Sequence, residues 1–329
     1  MNAPGLGWAV IGTGGIVERF VPDIHTAGER VAAVWGRRSD AARDVAARHA
    51  IDVHDVDLDR ILARDDVDVV YVATPPATHL EISLRALDSG KHVLVEKPLA
   101  TAAGDADRIL ARAAERGLFA MEAMWMKFNP LHREVMRRIG EGLIGDPHYV
   151  RGGFGMPFPR SGSRWRAELG GSTVLDQGIY PVTLASWALG AVADVSASGG
   201  VSDGVDTRAD VTLRHASGGL SHSSCAMTEF VDPSASISGT EGWIEIPAMF
   251  WAGDRALVHA GSREAVFHTP DEISRPTDGN GYVPMIGEVA RAVADGVREH
   301  PWHAHDETIE IHRTLDAIRA RIHGNGASV

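Results

Sequence analysis

Lys91, Lys97 and Lys127 are the only lysines among the 32 basic residues of the chain; every other positive charge is an arginine. Arginine stays protonated inside proteins, whereas lysine can shift its pKa and trade protons, so each of the three is a candidate for chemistry that arginine cannot perform. Lys97 has the strongest claim. It stands in Glu96-Lys97-Pro98, directly after the apolar run that starts at His92, and ligands of open α/β sheets bind outside the carboxyl ends of strands. A second set lies at Asp176 and Tyr180, four residues apart and so on one face of a helix, able to converge on one small molecule. A phenol pKa of about 10 is too high for an efficient base near neutrality. An ammonium such as Lys97 beside it would lower the value, and the Asp176 carboxylate would orient a substrate hydroxyl or hold the lysine charged. Pro181 must lie in the first turn of that helix or kink it.

Gly12-Thr13-Gly14-Gly15-Ile16-Val17 follows the first apolar run and opens the first helical pattern. Glycine at 12 permits the tight turn, and glycine at 14 lets the main chain approach a pyrophosphate, which then rests against the N–H groups and positive dipole end of the helix. Val17 stands where a third glycine would pack helix against strand, which predicts looser packing there. After the second strand an NAD-preferring site would carry Asp or Glu for the ribose hydroxyl, but this chain reads Trp35-Gly36-Arg37-Arg38-Ser39. Arg37 and Arg38 can clamp a 2′-phosphate, so NADP is favoured and NAD stays open. Thr74, Pro75, Glu96 and Lys97 end strands on the nicotinamide side, with His79 just beyond them in the cofactor-binding set.

These residues need a frame. Strand patterns at 6–11, 31–35, 67–73 and 92–96 alternate with helical ones at 16–25, 39–48, 77–89 and 101–116, with Ser39 or Asp40 as an N-cap and Gly90 and Gly117 as stops. That alternation predicts a doubly wound parallel sheet of the dinucleotide-binding (Rossmann) type over residues 1–124. From 125 to 329 the rhythm changes to an α+β domain. Strand candidates at 148–154, 194–200, 209–215, 219–227, 235–239, 243–247, 255–259 and 265–269 imply a mainly antiparallel sheet. Helices are expected near 172–189, 284–299 and 306–322, the last two packing back on the first domain.

Composition narrows the partners. With 329 residues, 44% hydrophobic and 23% charged, the chain can bury two cores. The net charge of −12 repels nucleic acid and anionic lipid. A single cysteine, Cys225, cannot form an internal disulfide, and no Cys/His cluster has metal spacing; His300, His303 and His305 with Asp306 read as polar residues at the start of the last helix. No leader pattern and no membrane-length apolar run is seen, so a cytoplasmic location is expected.

Taken together, Gly12-Thr13-Gly14, Ala73-Thr74-Pro75, the run from Gly90 to Ala100 containing Glu96-Lys97-Pro98, Leu169-Gly170-Gly171, and Asp176 to Pro181 resemble the Gfo/Idh/MocA oxidoreductase family over nearly the whole chain. Met121-Glu122-Ala123-Met124-Trp125, with tyrosine at 180, is similar to its subgroup of dimeric dihydrodiol dehydrogenases and NADP-linked D-xylose dehydrogenases. The resemblance implies a two-domain dehydrogenase whose open sheet forms a homodimer or higher homo-oligomer interface. It implies Lys97 and Tyr180 in proton transfer, Asp176 beside them and Trp125 against the substrate, a sugar, cyclic polyol or vicinal diol. Phe154, Arg164 and Trp165 are further candidates to line the cleft, a Trp face suiting a sugar or an arene-derived ring alike. The loop Met156 to Arg166 is open between lid and connector. A short-chain dehydrogenase is excluded because none of Tyr71, Tyr149, Tyr180 and Tyr282 is followed four residues later by lysine. The competing reading is a non-catalytic NADP-binding sensor on the same fold.

Overall fold

The computed structural model describes residues 5–325. The chain divides into two compact units, one formed by the chain up to Trp125 together with Asp278–Thr308, the other by Met126–Thr277 and the chain from Ile309 onward.

The first unit is built on six parallel strands, β1 (Gly7–Ile11), β2 (Arg30–Trp35), β3 (His54–Asp55), β4 (Val69–Val72), β5 (His92–Glu96) and β6 (Ala120–Ala123), in the order β3-β2-β1-β4-β5-β6. β1 and β4 are continuous apolar runs buried along their whole length, as strands in a sheet covered on both faces must be, and β6 is equally buried although it carries Glu122. Helices α1 (Val17–Thr26), α2 (Ser39–Arg48), α3 (Leu58–Leu62), α4 (His79–Asp88) and α5 (Ala103–Arg116) make the crossovers. The strand order reverses between β1 and β4, which opens a crevice at their carboxyl ends. Gly117 ends α5 at φ +68°, a conformation that favours glycine. α2 begins at Ser39, but its N-cap is Arg38, and neither Ser39 nor Asp40 caps it. Two short elements, β3 and α3, carry too few residues to show a periodicity; Asp57 starts α3 by accepting from Asp59 N.

The second unit holds eight strands: β7 (Pro147–Gly155), β8 (Val192–Ser202), β9 (Val205–His215), β10 (Leu220–Ala226), β11 (Ala235–Gly239), β12 (Gly242–Ile246), β13 (Arg255–Ala260) and β14 (Asp271–Ser274). Their order is β14-β13-β12-β11-β7-β10-β9-β8, antiparallel throughout except where β7 runs parallel to β10. One sheet face carries α7 (Ile179–Leu189), packed on β7. The opposite face presents Arg151, Asp210, Thr212, His222 and Ser224 around a polar depression of about 420 Å³.

Three local expectations are corrected. Residues 265–269 are not a strand: Ser262 caps a short helix, α8 (Arg263–Phe267), by accepting from Ala265 N, and the edge strand is β14 instead. A helix α6 (Pro130–Gly140) fills a stretch with no predicted element; Asn129 caps it, Pro130 takes its first turn, and Leu131, Val135 and Ile139 are its buried stripe. Finally, the helix expected from 172 opens as a single π turn, Val174–Gly178, before α7, and Pro181 lies in α7's first turn. Near the C-terminus, α9 (Val283–Ala294) packs on α1, whereas α10 (His305–Asn325) belongs from Ile309 onward with the second unit. Among the described residues no helix is long and apolar enough to cross a membrane.

Candidate active site

In the first unit the turn after β1 has the shape a dinucleotide requires. Gly12 sits at φ +140° with the place of a Cβ only 2.3 Å from Ala73 O, so no other residue fits there. Beside Gly14 and Gly15 a Cβ would meet nothing within 4 Å, and no side chain caps α1 at Ile16. The helix therefore begins without a side-chain cap above a loop left open at Gly14 and Gly15, which fits a pyrophosphate. Val17 is wholly buried at the first turn of α1, so the place of the missing third glycine is filled by core. A Cβ on Gly36 would lie 2.6 Å from the Thr13 methyl, which puts the exposed Arg37 and Arg38 turn next to the phosphate loop.

The rare lysines separate by environment. Lys91 Nζ donates to Arg64 O (2.8 Å) and Val67 O (2.9 Å), a structural task. Lys127 is buried, its Nζ 5.0 Å from the Trp187 ring centre. Lys97 emerges, half-buried, at the carboxyl end of β5. Before it, Glu96 accepts a 2.5 Å hydrogen bond from the Tyr71 hydroxyl. Burial pushes the Glu96 carboxyl up to about 7, against the pull of the Tyr71 bond and the Lys97 charge. Between the ordinary value of 4.5 and about 7 the folded protein therefore holds a proton that the unfolded chain has lost, and stability falls as pH rises through that window. Urea unfolding at a series of pH values is expected to show wild type losing on the order of 3 kcal/mol across it, and Glu96→Gln losing none of that share.

His79 is completely buried, with Nδ1 2.9 Å from Pro98 O and Nε2 2.8 Å from Thr74 O. Trp125 is 8% exposed and lies 4.9 Å, centre to centre, from Tyr282, whose ring also meets Phe20; Phe20 in turn stacks on Tyr71 at 3.6 Å. Tyr282 is held by Asp23 of α1, whose carboxylate accepts from Tyr282 N and Asn280 N, each at 2.9 Å.

In the second unit the chain from Leu169 is prepared for its turn. A Cβ on Gly171 would be 2.5 Å from Arg164 O, so glycine is needed where the two segments meet. The buried Asp206 carboxylate then accepts from Ser172 Oγ (2.8 Å) and Val174 N (2.9 Å), satisfying the first donors of the π turn, with Arg319 Nε at 3.6 Å and His323 Nε2 at 3.7 Å. On that turn Asp176 accepts from Arg164 Nε (2.5 Å) and Gln177 Nε2 (2.9 Å). Tyr180, 4% exposed, has Phe154 at 6.0 Å and Trp251 at 5.9 Å, and those two rings stack at 3.7 Å. Trp165 turns to its own loop, donating to Pro159 O (2.7 Å) under the Arg160 guanidinium. Cys225 is buried behind the turn, and burial raises its thiol pKa.

Phe154, Arg164, Asp176 and Tyr180 thus gather in one neighbourhood of the second unit, and the glycine loop, Arg37 and Arg38 in one neighbourhood of the first. Trp251 and Asp206 escaped the reading of the sequence, and Tyr282 and Glu122 were given no role in it. Phe250-Trp251, an aromatic pair between two strands, was the one signal available for Trp251; a lone Asp between two strand candidates carries none. Among the described residues no group of three His, Cys, Asp or Glu side chains could hold a metal. His303 pairs instead with Glu122 (3.0 Å) and His300 with Glu288 (3.3 Å).

Comparison with known proteins agrees with this architecture. Residues 6–124 match the profile of the oxidoreductase family with an NAD-binding Rossmann fold, GFO_IDH_MocA, and residues 132–245 match the GFO/IDH/MocA C-terminal domain. The chain is similar to trans-1,2-dihydrobenzene-1,2-diol dehydrogenase of Danio rerio, with 28% identity over 96% of this chain and 97% of that one. Among solved structures it is similar to a 3-ketoreductase of Actinomadura kijaniata, KijD10, in complex with NADP and TDP-benzene (29% identity, TM-score 0.84, 97% of this chain and 98% of the other covered). It also shares the fold of a levoglucosan dehydrogenase bound to NADH and levoglucosan, at 20% identity and TM-score 0.87 over 97% and 98% of the two chains. With both domain profiles matched on a doubly wound sheet that ends in a glycine loop and a strand-end lysine, the chain belongs to the Gfo/Idh/MocA family of NAD(P)-binding oxidoreductases.

Proposed function

We propose that the protein oxidises a secondary alcohol of a sugar, cyclic polyol or vicinal diol, or reduces the matching ketone, with NADP as preferred cofactor. The observation that carries the reading is the half-buried Lys97 at a strand end of the nucleotide-binding sheet, where Lys91 is tied to two main-chain carbonyls and Lys127 is buried against Trp187. When bound, the dinucleotide supplies the hydride acceptor or donor. In this reading Tyr180 takes the hydroxyl proton as the carbinol becomes a carbonyl, Asp176, braced by Arg164, orients the substrate oxygen, and Lys97 supplies the positive charge that favours proton transfer. The relatives named above for diols and sugars support this substrate class.

Reduced-cofactor absorbance over a panel of sugars, cyclic polyols and trans-vicinal diols tests it. Turnover of at least one class is expected; NADP binding with no turnover across the panel would favour the sensor. Arg37→Ala/Arg38→Ala removes two charge-assisted hydrogen bonds to the 2′-phosphate and is expected to weaken NADP binding about 10²-fold, while NAD binding changes less than about threefold. Fluorescence titration with both cofactors reads this, and equal weakening for the two would remove the NADP preference. Trp251→Ala opens the aromatic wall beside Tyr180 and is expected to raise KM for cyclic substrates about tenfold, equivalent to about 1.4 kcal/mol, with little change in kcat. The polar sheet face around Arg151, Asp210 and His222 is the proposed homo-oligomer interface, in a cytoplasmic setting.

A further inference from the structure

We propose that His79 and Glu122 are positioning residues that grip the backbone just after Lys97, and so set where its ammonium stands. The inference rests on the reading of Lys97 as catalytic. His79 opens α4 and Glu122 lies in β6, and both are wholly buried in the first unit. Neither side chain can reach substrate through the core, yet each gives one polar atom to the peptide that joins two consecutive residues. The His79 Nδ1 meets Pro98 O at 2.9 Å, and Glu122 Oε1 accepts from Leu99 N at 2.8 Å. A donor and an acceptor thus hold the main chain on either side of one peptide link, within two residues of Lys97.

Each jaw is itself braced. The second imidazole nitrogen of His79 lies 2.8 Å from Thr74 O, so the ring spans the ends of β4 and β5, the two strands whose tips carry the candidate nicotinamide-side residues. The other Glu122 oxygen meets His303 Nε2 at 3.0 Å. A buried carboxylate and a buried imidazole are costly unless partnered, and an apolar pair would fill the same space without that cost. Their retention beneath this one loop is accounted for by a geometric demand: a reacting group displaced by about 1 Å can cost about 10² in rate. Desolvation pulls the His79 pKa below the ordinary imidazole value while the carbonyls facing its two nitrogens pull it up, and in either protonation state the ring has an N–H to give to Pro98 O.

The chain's three lysines make the test direct, because reductive ¹³C-methylation yields at most three lysine signals, assigned by the disappearance of one in Lys97→Arg. In His79→Phe the Lys97 signal is expected to shift or broaden while the Lys91 signal stays. His79→Asn, whose amide nitrogen takes the place of Nδ1, is expected to restore it; His79→Gln, whose amide takes the place of Nε2, is not. With the best diol or sugar of the substrate panel, kcat is expected to drop about 10- to 10²-fold in His79→Phe and His79→Gln with KM and NADP affinity within about threefold, and to return to within about threefold in His79→Asn. Should His79→Phe not fold, the comparison of Asn with Gln decides alone. An unmoved Lys97 signal in His79→Gln, or rescue by Gln and not Asn, overturns the clamp. Lys97→Met run alongside separates the two readings: if it retains full turnover the catalytic assignment fails, whereas the methyl signals judge the clamp without reference to activity.

Discussion

Lys97→Met is expected to lower kcat about 10²- to 10⁴-fold, the usual worth of a positioned acid-base group, with NADP affinity changed by less than about threefold. Methionine keeps the unbranched stem and its packing and removes only the ammonium. The amine stands at the carboxyl end of β5, beyond Glu96, and the glycine loop that would hold the pyrophosphate belongs to β1 and α1. Cofactor capture and proton handling therefore sit on different strand ends and should separate in a variant. Tyr180→Phe is expected to fall in the same range, since phenylalanine preserves the packing against Phe154 and Trp251 and deletes only the hydroxyl. If the two groups act as a unit, the double variant is scarcely slower than the slower single one. Stopped-flow measurement of reduced-cofactor absorbance reads all three, and wild-type turnover in Lys97→Met removes the assignment.

Asp206→Ala is expected to destabilise the protein by about 2–5 kcal/mol and to abolish most activity. The carboxylate is 1% exposed and is the acceptor for the Ser172 hydroxyl and the Val174 N–H, the donors that start the turn bearing Asp176 and Tyr180. Alanine leaves both donors buried without that acceptor and deprives Arg319 and His323 of their nearby negative charge; Arg319, 28% exposed, recovers part of its deficit from water. Asp206→Asn keeps one oxygen and is expected to cost about half as much. Urea unfolding followed by tryptophan fluorescence measures the difference. A change below about 1 kcal/mol in Asp206→Ala would mean that the turn holds itself, through the Ser172 hydroxyl on Leu175 N and the Thr173 hydroxyl on Gln177.

The first unit was largely legible because its signals are local. Strands β1 and β4 are unbroken apolar runs and β5 has an apolar centre at 93–95, α2 and α5 repeat their buried residues at helical spacing, and Gly90 and Gly117 stop helices where the chain adopts positive φ. The second unit was less so. The stretch 265–269 has the apolar content of a strand, but the Ser262 hydroxyl settles Ala265 N and turns the chain into α8, so a cap outweighs composition. The helix reading of 172–189 missed the π turn because its cause, the Asp206 carboxylate, comes from a strand more than thirty residues further on.

The sequence by itself determined a parallel nucleotide-binding sheet, the glycine loop after its first strand, a strand-end lysine and a tyrosine four residues beyond an aspartate, since each depends on residues adjacent in the chain. Only the tertiary structure decided that Arg164 braces Asp176, that Trp251 and Phe154 wall in Tyr180, and that His79 and Glu122 hold the peptide after Lys97. Those pairings join residues far apart in sequence. They are chosen by strand order and by the cost of leaving a buried charge or ring nitrogen without a partner, which no local period records.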